Sequence, residues 1–426
     1  MRRNNRKLFE KREQIGKKAL IVGMDIGSQF HAVVFQNKQG LILKAYEKIY
    51  NNRNGFEYLV REIEKMLKRN CLREVHIGFE PTGYYWKNII YYLDSKGYLI
   101  KFLRTTAVKS QRELDASSST KTDISDANDI ASLVREGKYI DAKLQHGVYM
   151  KLRDAGKLRA NIMRKKTGQL CRLRMLMNMY FPELSDQFWA TDSVGFWRVV
   201  KTAPFPEDIE ELGREKLKEL LSVSGVNKKR LEEQVENIYT ASKKSVGIKT
   251  SEFDRYNIRA CVEALEMYHR QLQEIKKAMK RLLEDTEYWE LMDSIPGVGV
   301  VTAATFLGEL GDPVNFKDAK SIIKFAGIDP KENSSGLYKS KAKISKKGRY
   351  LRRTMIYFIC MRLIYRSEEF KGYYHYKLET KNIWGRHIEK KEAIFAVAIK
   401  FIKILFAMFR DKTEYSSLKV KYRLAA

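Results

Sequence analysis

Cysteine is scarce and scattered. The four residues, Cys71, Cys171, Cys261 and Cys360, show no CxxC or zinc-knuckle spacing. This excludes a readable disulfide framework or cysteine metal centre and fits a reducing, cytoplasmic setting. Long apolar runs are missing as well. The most apolar stretch, 393–409, is interrupted by Lys400 and Lys403, so it reads as a buried helix and not a membrane span. The first 18 residues are basic, with no apolar signal-peptide core behind them. Repeats and low-complexity tracts are absent. Acids are the most telling shortage: 52 Asp and Glu face 81 Lys and Arg, a net charge of +29.

That excess, with a pI near 9.7, calls for an acidic partner, and nucleic acid is the commonest, because neutralising phosphates releases counterions. A ribosomal-type protein or a membrane-surface protein would share the charge. The 426 residues suggest two or three domains. A hydrophobic content of 44% and an aromatic content of 12% supply real cores.

Residues 19–140 alternate strand and helix. Ala19–Phe35 reads as a hairpin around a Gly-Ser turn, and Leu41–Tyr50 is a third strand that can join it. Phe56, Leu59, Ile63 and Leu67 repeat at helical spacing. Strands at 74–80 and 98–103 and helices at 84–93 and 122–136 complete an α/β domain on a mixed sheet. A basic helical stretch follows, with nine Lys or Arg and one acid between Val148 and Leu176. Residues 181–250, with Pro182, Pro204 and Pro206, read as a helical insertion without assignable chemistry. Ile258, Cys261, Leu265, Tyr268, Leu272, Ile275, Met279 and Leu282 keep a 3-4 spacing, the seam of a coiled coil or of an amphipathic helix packed on its own domain. A last globular unit runs from Leu291. The expected division is therefore a basic tail 1–18, an α/β domain 19–180, an insertion 181–250, a coiled coil 251–290 and a C-terminal domain 291–426.

Four acids stand out. Asp25 lies in GMDIGS, on a strand beside a turn. Glu80 closes the strand EVHIGFE, ahead of PTG. Asp123 and Asp126, in KTDISDA, are three apart on one helix face. Hard carboxylate oxygens on rigid elements can hold paired Mg2+ ions for phosphoryl transfer. Singly, each has an ordinary structural reading: a turn residue, an edge-strand charge, a helix cap. Together those readings weaken, because carboxylates in apolar strands are costly. Asp115 and Asp129 compete by spacing.

In the C-terminal unit, SIPGVGVVTA resembles a helix-hairpin-helix, with Gly297 and Gly299 presenting amides to a phosphate. A plain packing corner has the same pattern. Between Asn333 and Ser367 there is no acid but ten bases, among them Lys339, Lys341, Lys343, Lys346, Lys347, Arg349, Arg352 and Arg353, interleaved with Tyr338, Tyr350, Tyr357 and Tyr365. This is a phosphate-binding footprint with groups able to stack on bases. On the earlier helix, Lys151, Arg153, Lys157, Arg159, Arg164, Lys165, Lys166, Arg172 and Arg174 form a second footprint. Ser334 and Ser335 precede Gly336 in the basic loop, where a serine could attack phosphorus.

The series GMDIGS, FEPTG, KTDISDA, heptad helix, SIPGVG, FAGIDP, SSG and SKKGRYLRR resembles the DEDD insertion-sequence transposases of the IS one-ten family, relatives of the Piv-type DNA invertases. The likeness covers most of 19–410 and is weakest over 181–250. It implies an RNase H-like (RuvC-like) α/β domain, coiled-coil helices and a mainly α-helical transposase domain. It implies Asp25, Glu80, Asp123 and Asp126 as catalytic, metal-holding acids, choosing Asp126 over Asp129, and Ser335 as a nucleophile forming a phosphoserine link, with Ser334 the neighbouring alternative. The cofactor implied is Mg2+, as two ions, with Mn2+ the alternative. The partners implied are element-end and target DNA, a structured guide (bridge) RNA, and further copies of the chain as a dimer or synaptic tetramer. A junction nuclease or an invertase without RNA is the competing activity.

Overall fold

The computed structural model describes residues 3–418 except 82, 115–121, 142–143, 223–226, 249–250, 332–333, 336–337, 340–342, 347 and 382–384. It comprises two compact units, residues 1–144 and 145–426.

The first unit is built on one six-stranded sheet. Its strands are β1 (Ala19–Ile26), β2 (Phe30–Asn37), β3 (Ile42–Tyr50), β4 (Glu74–Phe79), β5 (Leu99–Phe102) and β6 (Ile140–Asp141). Their order is β3-β2-β1-β4-β5-β6. β1 and β2 form the expected hairpin, β3 adds antiparallel to β2, and β4 and β5 run parallel to β1. The helices are α1 (Arg3–Glu13), α2 (Arg53–Arg69), α3 (Trp86–Ser95), α4 (Thr105–Leu114) and α5 (Asp123–Arg135).

Strand alternation decides the two faces. Leu20, Val22 and Met24 of β1, with Ile77 and Phe79 of β4, pack with Leu59 and Ile63 of α2 and Ile89, Ile90 and Leu93 of α3. The intervening residues turn to the other face, where Ala19 and Ile21 meet Ile130, Ala131 and Val134 of α5. The basic N-terminal segment is more than a tail. It forms α1, Ile15 behind it is buried, and Lys11 Nζ donates to the Tyr139 carbonyl at 2.5 Å.

The second unit is helical: α6 (Gly147–Tyr180), α7 (Pro182–Asp186), α8 (Val194–Thr202), α9 (Pro206–Leu221), α10 (Lys228–Ser242), α11 (Glu252–Glu284), α12 (Trp289–Asp293), α13 (Val300–Leu310), α14 (Ala319–Ala326), α15 (Tyr350–Arg366), α16 (Glu368–Glu379) and α17 (Lys390–Asp411). The basic stretch 148–180, grouped with the α/β domain on sequence, here becomes α6 of the helical unit.

Two hydrophobic cores form within this unit, and α6 and α11 contribute to both. Leu170, Leu173, Leu176 and Met177 of α6 join Ile258, Cys261 and Leu265 of α11 and residues of α8–α10 in one. Leu152 of α6 joins Met279 and Leu283 of α11 and residues of α13, α15 and α17 in the other. The N-terminal half of α6 thus shares a core with the C-terminal half of α11, so the two helices run antiparallel. Much of the heptad seam is covered from within the chain. The insertion 181–250 supplies most of the first core.

Candidate active site and nucleic-acid interface

The acids are positioned by register and by two glycines. The parallel pairing of β1 with β4 runs from Ala19↔Glu74 to Met24↔Phe79. One step further along both strands stand Asp25 and Glu80, each half-buried. Neighbouring strands lie about 4.8 Å apart, so the two acids start from adjacent backbone positions. Two residues earlier on the same face are Gly23 and Gly78, themselves register partners. A Cβ on Gly23 would fall 2.1 Å from the Ala127 carbonyl oxygen and 2.7 Å from the Ala131 nitrogen. One on Gly78 would fall 2.3 Å from Val134 Cγ2. The α5 backbone therefore lies directly on β1, a closeness only glycine permits. Ala32, the register partner of Asp25 on β2, is buried against Ala127.

The first turn of α5 directly precedes Ala127, the residue packed on Gly23 and Ala32. Thr122 caps it, accepting from the Ser125 amide at 3.2 Å while Ser125 Oγ accepts from the Thr122 amide at 3.2 Å. On that turn Asp126 is only 3% exposed, whereas Asp123 is exposed. Asp129, at 8%, is buried too, so burial does not separate it from Asp126. Asp115 lies outside the described residues. Among the described residues, no three His, Cys, Asp or Glu side chains are grouped closely enough to hold a metal ion. Asp25, Glu80, Asp123 and Asp126 would offer carboxylate oxygens alone, the donor chemistry of a hard cation.

Ser334–Ser335 and Tyr338–Lys339 pair antiparallel, with Ser335 opposite Tyr338. Lys343–Ile344 pairs with Pro330–Lys331. The ladders are two separate two-stranded sheets, and the one that flanks the other in sequence begins just after Asp329. The base is fixed: Ser345 Oγ donates to Asp329 Oδ1 at 2.5 Å, and the Lys346 amide to the Gly327 carbonyl at 3.0 Å. Lys341, Lys347 and Gly336 lie outside the described residues.

The two basic footprints divide into exposed and buried members. On α6, Lys151, Arg164, Lys165, Arg172 and Arg174 are exposed, and Arg153, Lys157 and Arg159 half-buried. Lys166 is different. It is 8% exposed, sits 2.8 Å from Asp192 and lies over the Trp197 ring. In the C-terminal unit Lys346 and Arg349 are exposed and Arg353 half-buried. Arg352 turns inward at 4% exposure, donating to the backbone carbonyls of Glu309 and Phe325 and stacking 3.5 Å over the Phe325 ring. Burial lowers its pKa to about 10, and burial raises that of Glu309, whose carboxylate is 3.9 Å away. Sequence composition placed Lys166 and Arg352 among the phosphate contacts; here both are buried, Lys166 paired with Asp192 and Arg352 set against Glu309 and the Phe325 ring.

Gly297, with φ +80°, and Gly299, the N-cap of α13, form the turn after α12. Arg362 donates to the Gly297 carbonyl at 3.0 Å, fixing that turn against α15.

A family model described as "Transposase" matches residues 22–182, and a second, "Transposase IS116/IS110/IS902 family", matches 289–375. The chain belongs to the IS110 family of transposases. The insertion element IS110 uncharacterized 43.6 kDa protein of Streptomyces coelicolor is 30% identical over 38% of this chain and 38% of its own length. The transposase for insertion sequence element IS1111A of Coxiella burnetii is 27% identical over 36% of this chain and 39% of its own. The transposase for element IS1328 of Yersinia enterocolitica is 30% identical over 24% and 30%. The chain thus spans less than two fifths of the length of these relatives. The first family match begins within β1 and ends after α6, so it contains all four candidate acids. The second runs from α12 into α16 and contains the Ser334–Ser335 ribbon.

Sequence reasoning missed Gly23 and Gly78 as site-forming residues. A glycine inside a strand pattern was the available signal, since it marks close backbone approach. Among the described residues, no helix is long and apolar enough to cross a membrane.

Proposed function

We propose that this chain is an insertion-sequence transposase that cuts and rejoins DNA, using a metal-dependent carboxylate site in an RNase H-like domain and a covalent phosphoserine intermediate. The observation that carries the reading is the parallel register of β1 and β4, whose last pair, Met24↔Phe79, directly precedes Asp25 and Glu80, on the face where Ala127 and Ala131 of α5 lie against Gly23. Asp25, Glu80, Asp123 and Asp126 would hold two Mg2+ ions, with Mn2+ as substitute. Bound there, such ions supply Lewis-acid stabilisation of the oxygens entering and leaving phosphorus.

The chain's own part is nucleophilic. Ser335 Oγ attacks a DNA phosphorus; an Oγ–P bond forms as the bond to one deoxyribose oxygen breaks. The hydroxyl proton passes to a carboxylate or water, and the departing oxygen takes one up. A hydroxyl of a second strand end then attacks the same phosphorus, the Oγ–P bond breaks and serine recovers its proton. Phosphoester bonds are conserved in number, so no outside energy source is needed.

DNA ends and target would lie along the exposed bases of both footprints, with the turn at Gly297 and Gly299 contacting backbone phosphates as a helix-hairpin-helix does. A structured guide RNA fits the excess of exposed charge on α6. A dimer, or a tetramer at synapsis, would bring the acids of one copy to the serine of another.

Purified protein with its element-end DNA tests this. Asp25→Asn and Glu80→Gln should abolish cleavage and retain binding, and Ser335→Ala should abolish the covalent protein–DNA adduct. Wild-type behaviour of both acid variants would end the metal-site reading. A persisting adduct in Ser335→Ala would move the nucleophile elsewhere, with Ser334→Ala the next variant. Cleavage without any adduct in wild type would make the chain a junction nuclease.

A further inference from the structure

α15 carries a feature that phosphate binding alone does not use. Its buried side is Ile356, Ile359, Cys360 and Leu363. On the opposite side Tyr350 (75% exposed), Tyr357 (37%), Phe358 (48%), Met361 (40%) and Tyr365 (85%) follow one another at helical spacing. At 100° per residue these five fall within a sector of about 100°, and from Tyr350 to Tyr365 the stripe is about 22 Å long. A solvent-facing stripe of this composition is costly to leave bare.

Arginines edge the stripe on both flanks. Arg349 and Arg353 lie on one side and Arg362 and Arg366 on the other, counted by the same helical angle. Three of them are already held at their positions. Arg353 donates to the Lys346 and Gly348 carbonyls at 3.1 and 2.9 Å. Arg362 donates to the Gly297 carbonyl, and Arg349 is 3.7 Å from Glu309. No acid occurs from Asn333 to Ser367.

We infer that the outer face of α15 is a stacking platform for an unpaired nucleic-acid strand, bases lying on the aromatic stripe and phosphates on the flanking arginines. The inference rests on the reading of the chain as one that acts on DNA, and adds to it which form of nucleic acid this face takes. A paired duplex hides the π-faces of its bases, so it can use the arginines but not the rings. An unpaired strand uses both, and stacking is tolerant of sequence. Self-association through the same face would set the flanking arginines of two copies, eight in all, against one another, which disfavours a second copy as the occupant.

The test uses the full chain and four labelled probes: oligothymidylate, oligouridylate, an abasic strand of equal length and a duplex of equal length, read by fluorescence anisotropy. Each aromatic that stacks a base should cost about 5-fold to 150-fold when truncated. Phe358→Ala with Tyr365→Ala should therefore weaken single-strand binding about 30-fold or more while duplex binding changes less than about 2-fold. Tyr365→Phe should retain the single-strand affinity and Tyr365→Leu should not. The wild type should bind the abasic strand as weakly as the double variant binds oligothymidylate. Oligouridylate bound more tightly than oligothymidylate would identify RNA as the strand, and the reverse DNA; either supports the platform. Equal losses on single strand and duplex, tight abasic binding, or rescue by Tyr365→Leu would overturn it. So would a fall in oligomeric mass with nucleic-acid affinity intact, which would assign the stripe to a second copy. Strand cleavage by the wild type, scored separately, keeps a failure of the platform distinct from a failure of the transposase reading.

Discussion

The paired glycines under α5 make a prediction that separates two kinds of crowding. Gly78→Ala places a Cβ 2.3 Å from Val134 Cγ2, the end of a side chain. Gly23→Ala places one 2.1 Å from the Ala127 carbonyl oxygen and 2.7 Å from the Ala131 nitrogen, which are helix backbone. Ordinary contact begins near 3.4 Å, so relief at Gly23 requires α5 to retreat by more than 1 Å, whereas at Gly78 removing one methyl suffices. Overpacking of a well-packed core costs typically about 1–3 kcal/mol. Gly78→Ala should lie in that range and Gly23→Ala at or above its top. Val134→Ala should rescue much of the Gly78→Ala loss, giving a favourable coupling of about 1 kcal/mol or more in a double-mutant cycle. Ala131→Gly removes a Cβ 2.8 Å from the new atom but leaves the Ala127 oxygen in place, so it should rescue Gly23→Ala little. Urea unfolding of the four single variants and two doubles reads these couplings. Because Asp126 rides on the same helix turn as Ala127, Gly23→Ala should also lose strand cleavage at temperatures where it is still folded. Equal rescue at both positions would refute the claim that α5 backbone rests on β1.

His31 is buried in the sheet, and burial, opposed by its interaction with the Asn51 side chain, lowers its pKa to about 4. The folded state resists its protonation, so its contribution is full above the unfolded value of 6.5 and is lost as pH falls toward 4. Unfolding free energy should drop by about 2 kcal/mol between pH 7 and pH 5 from this group, and His31→Phe should flatten that part of the slope in urea titrations at the two pH values. Arg352→Met should destabilise by up to about 3 kcal/mol by leaving the buried Glu309 to the exposed Arg349, 3.7 Å away, and adding Glu309→Leu should restore most of it, as thermal melts will show. Neither variant should change DNA affinity in proportion, because Arg352 is buried. DNA binding by the wild type should fall linearly in a log–log salt titration, with a slope of about −0.9 per phosphate neutralised; a flat line would remove the exposed bases from the interface. Chelation with EDTA should stop cleavage, and added Mg2+ or Mn2+ should restore it.

Much of the first unit could be read from sequence because period and burial agree there. β1, β2 and β4 show β-branched runs bounded by turns, and α2 shows four apolar residues on one stripe. The heptad of α11 was equally clear as a stripe, yet a stripe does not say what covers it. Here Leu170, Leu173 and Leu176 of α6, more than eighty residues earlier, cover Ile258, Cys261 and Leu265. Lys166 and Arg352 were misplaced for a similar reason. Their carboxylate partners, Asp192 and Glu309, are distant in sequence, and a local window full of bases looks the same whether one of them turns inward or not. Asp25 and Glu80 stood out by their setting in apolar strands, but their neighbouring backbone positions follow from the parallel register of β1 and β4, which only the folded sheet supplies. The stripe on α15 was half seen: Tyr350, Tyr357 and Tyr365 were noted, whereas Phe358 and Met361 emerge once the helix is drawn and its inner side assigned.

The shared membership of α6 and α11 in both cores of the second unit imposes a phase rule on the chain. Between Leu265, locked in one core, and Met279, locked in the other, the helix has no joint at which a change of length could be absorbed. Adding one residue there would turn everything beyond it by about 100°, pulling Met279 and Leu283 out of their seats. Adding seven would turn it by only about 20°. Evolution or engineering can lengthen this span in whole heptads, provided α6 is lengthened with it.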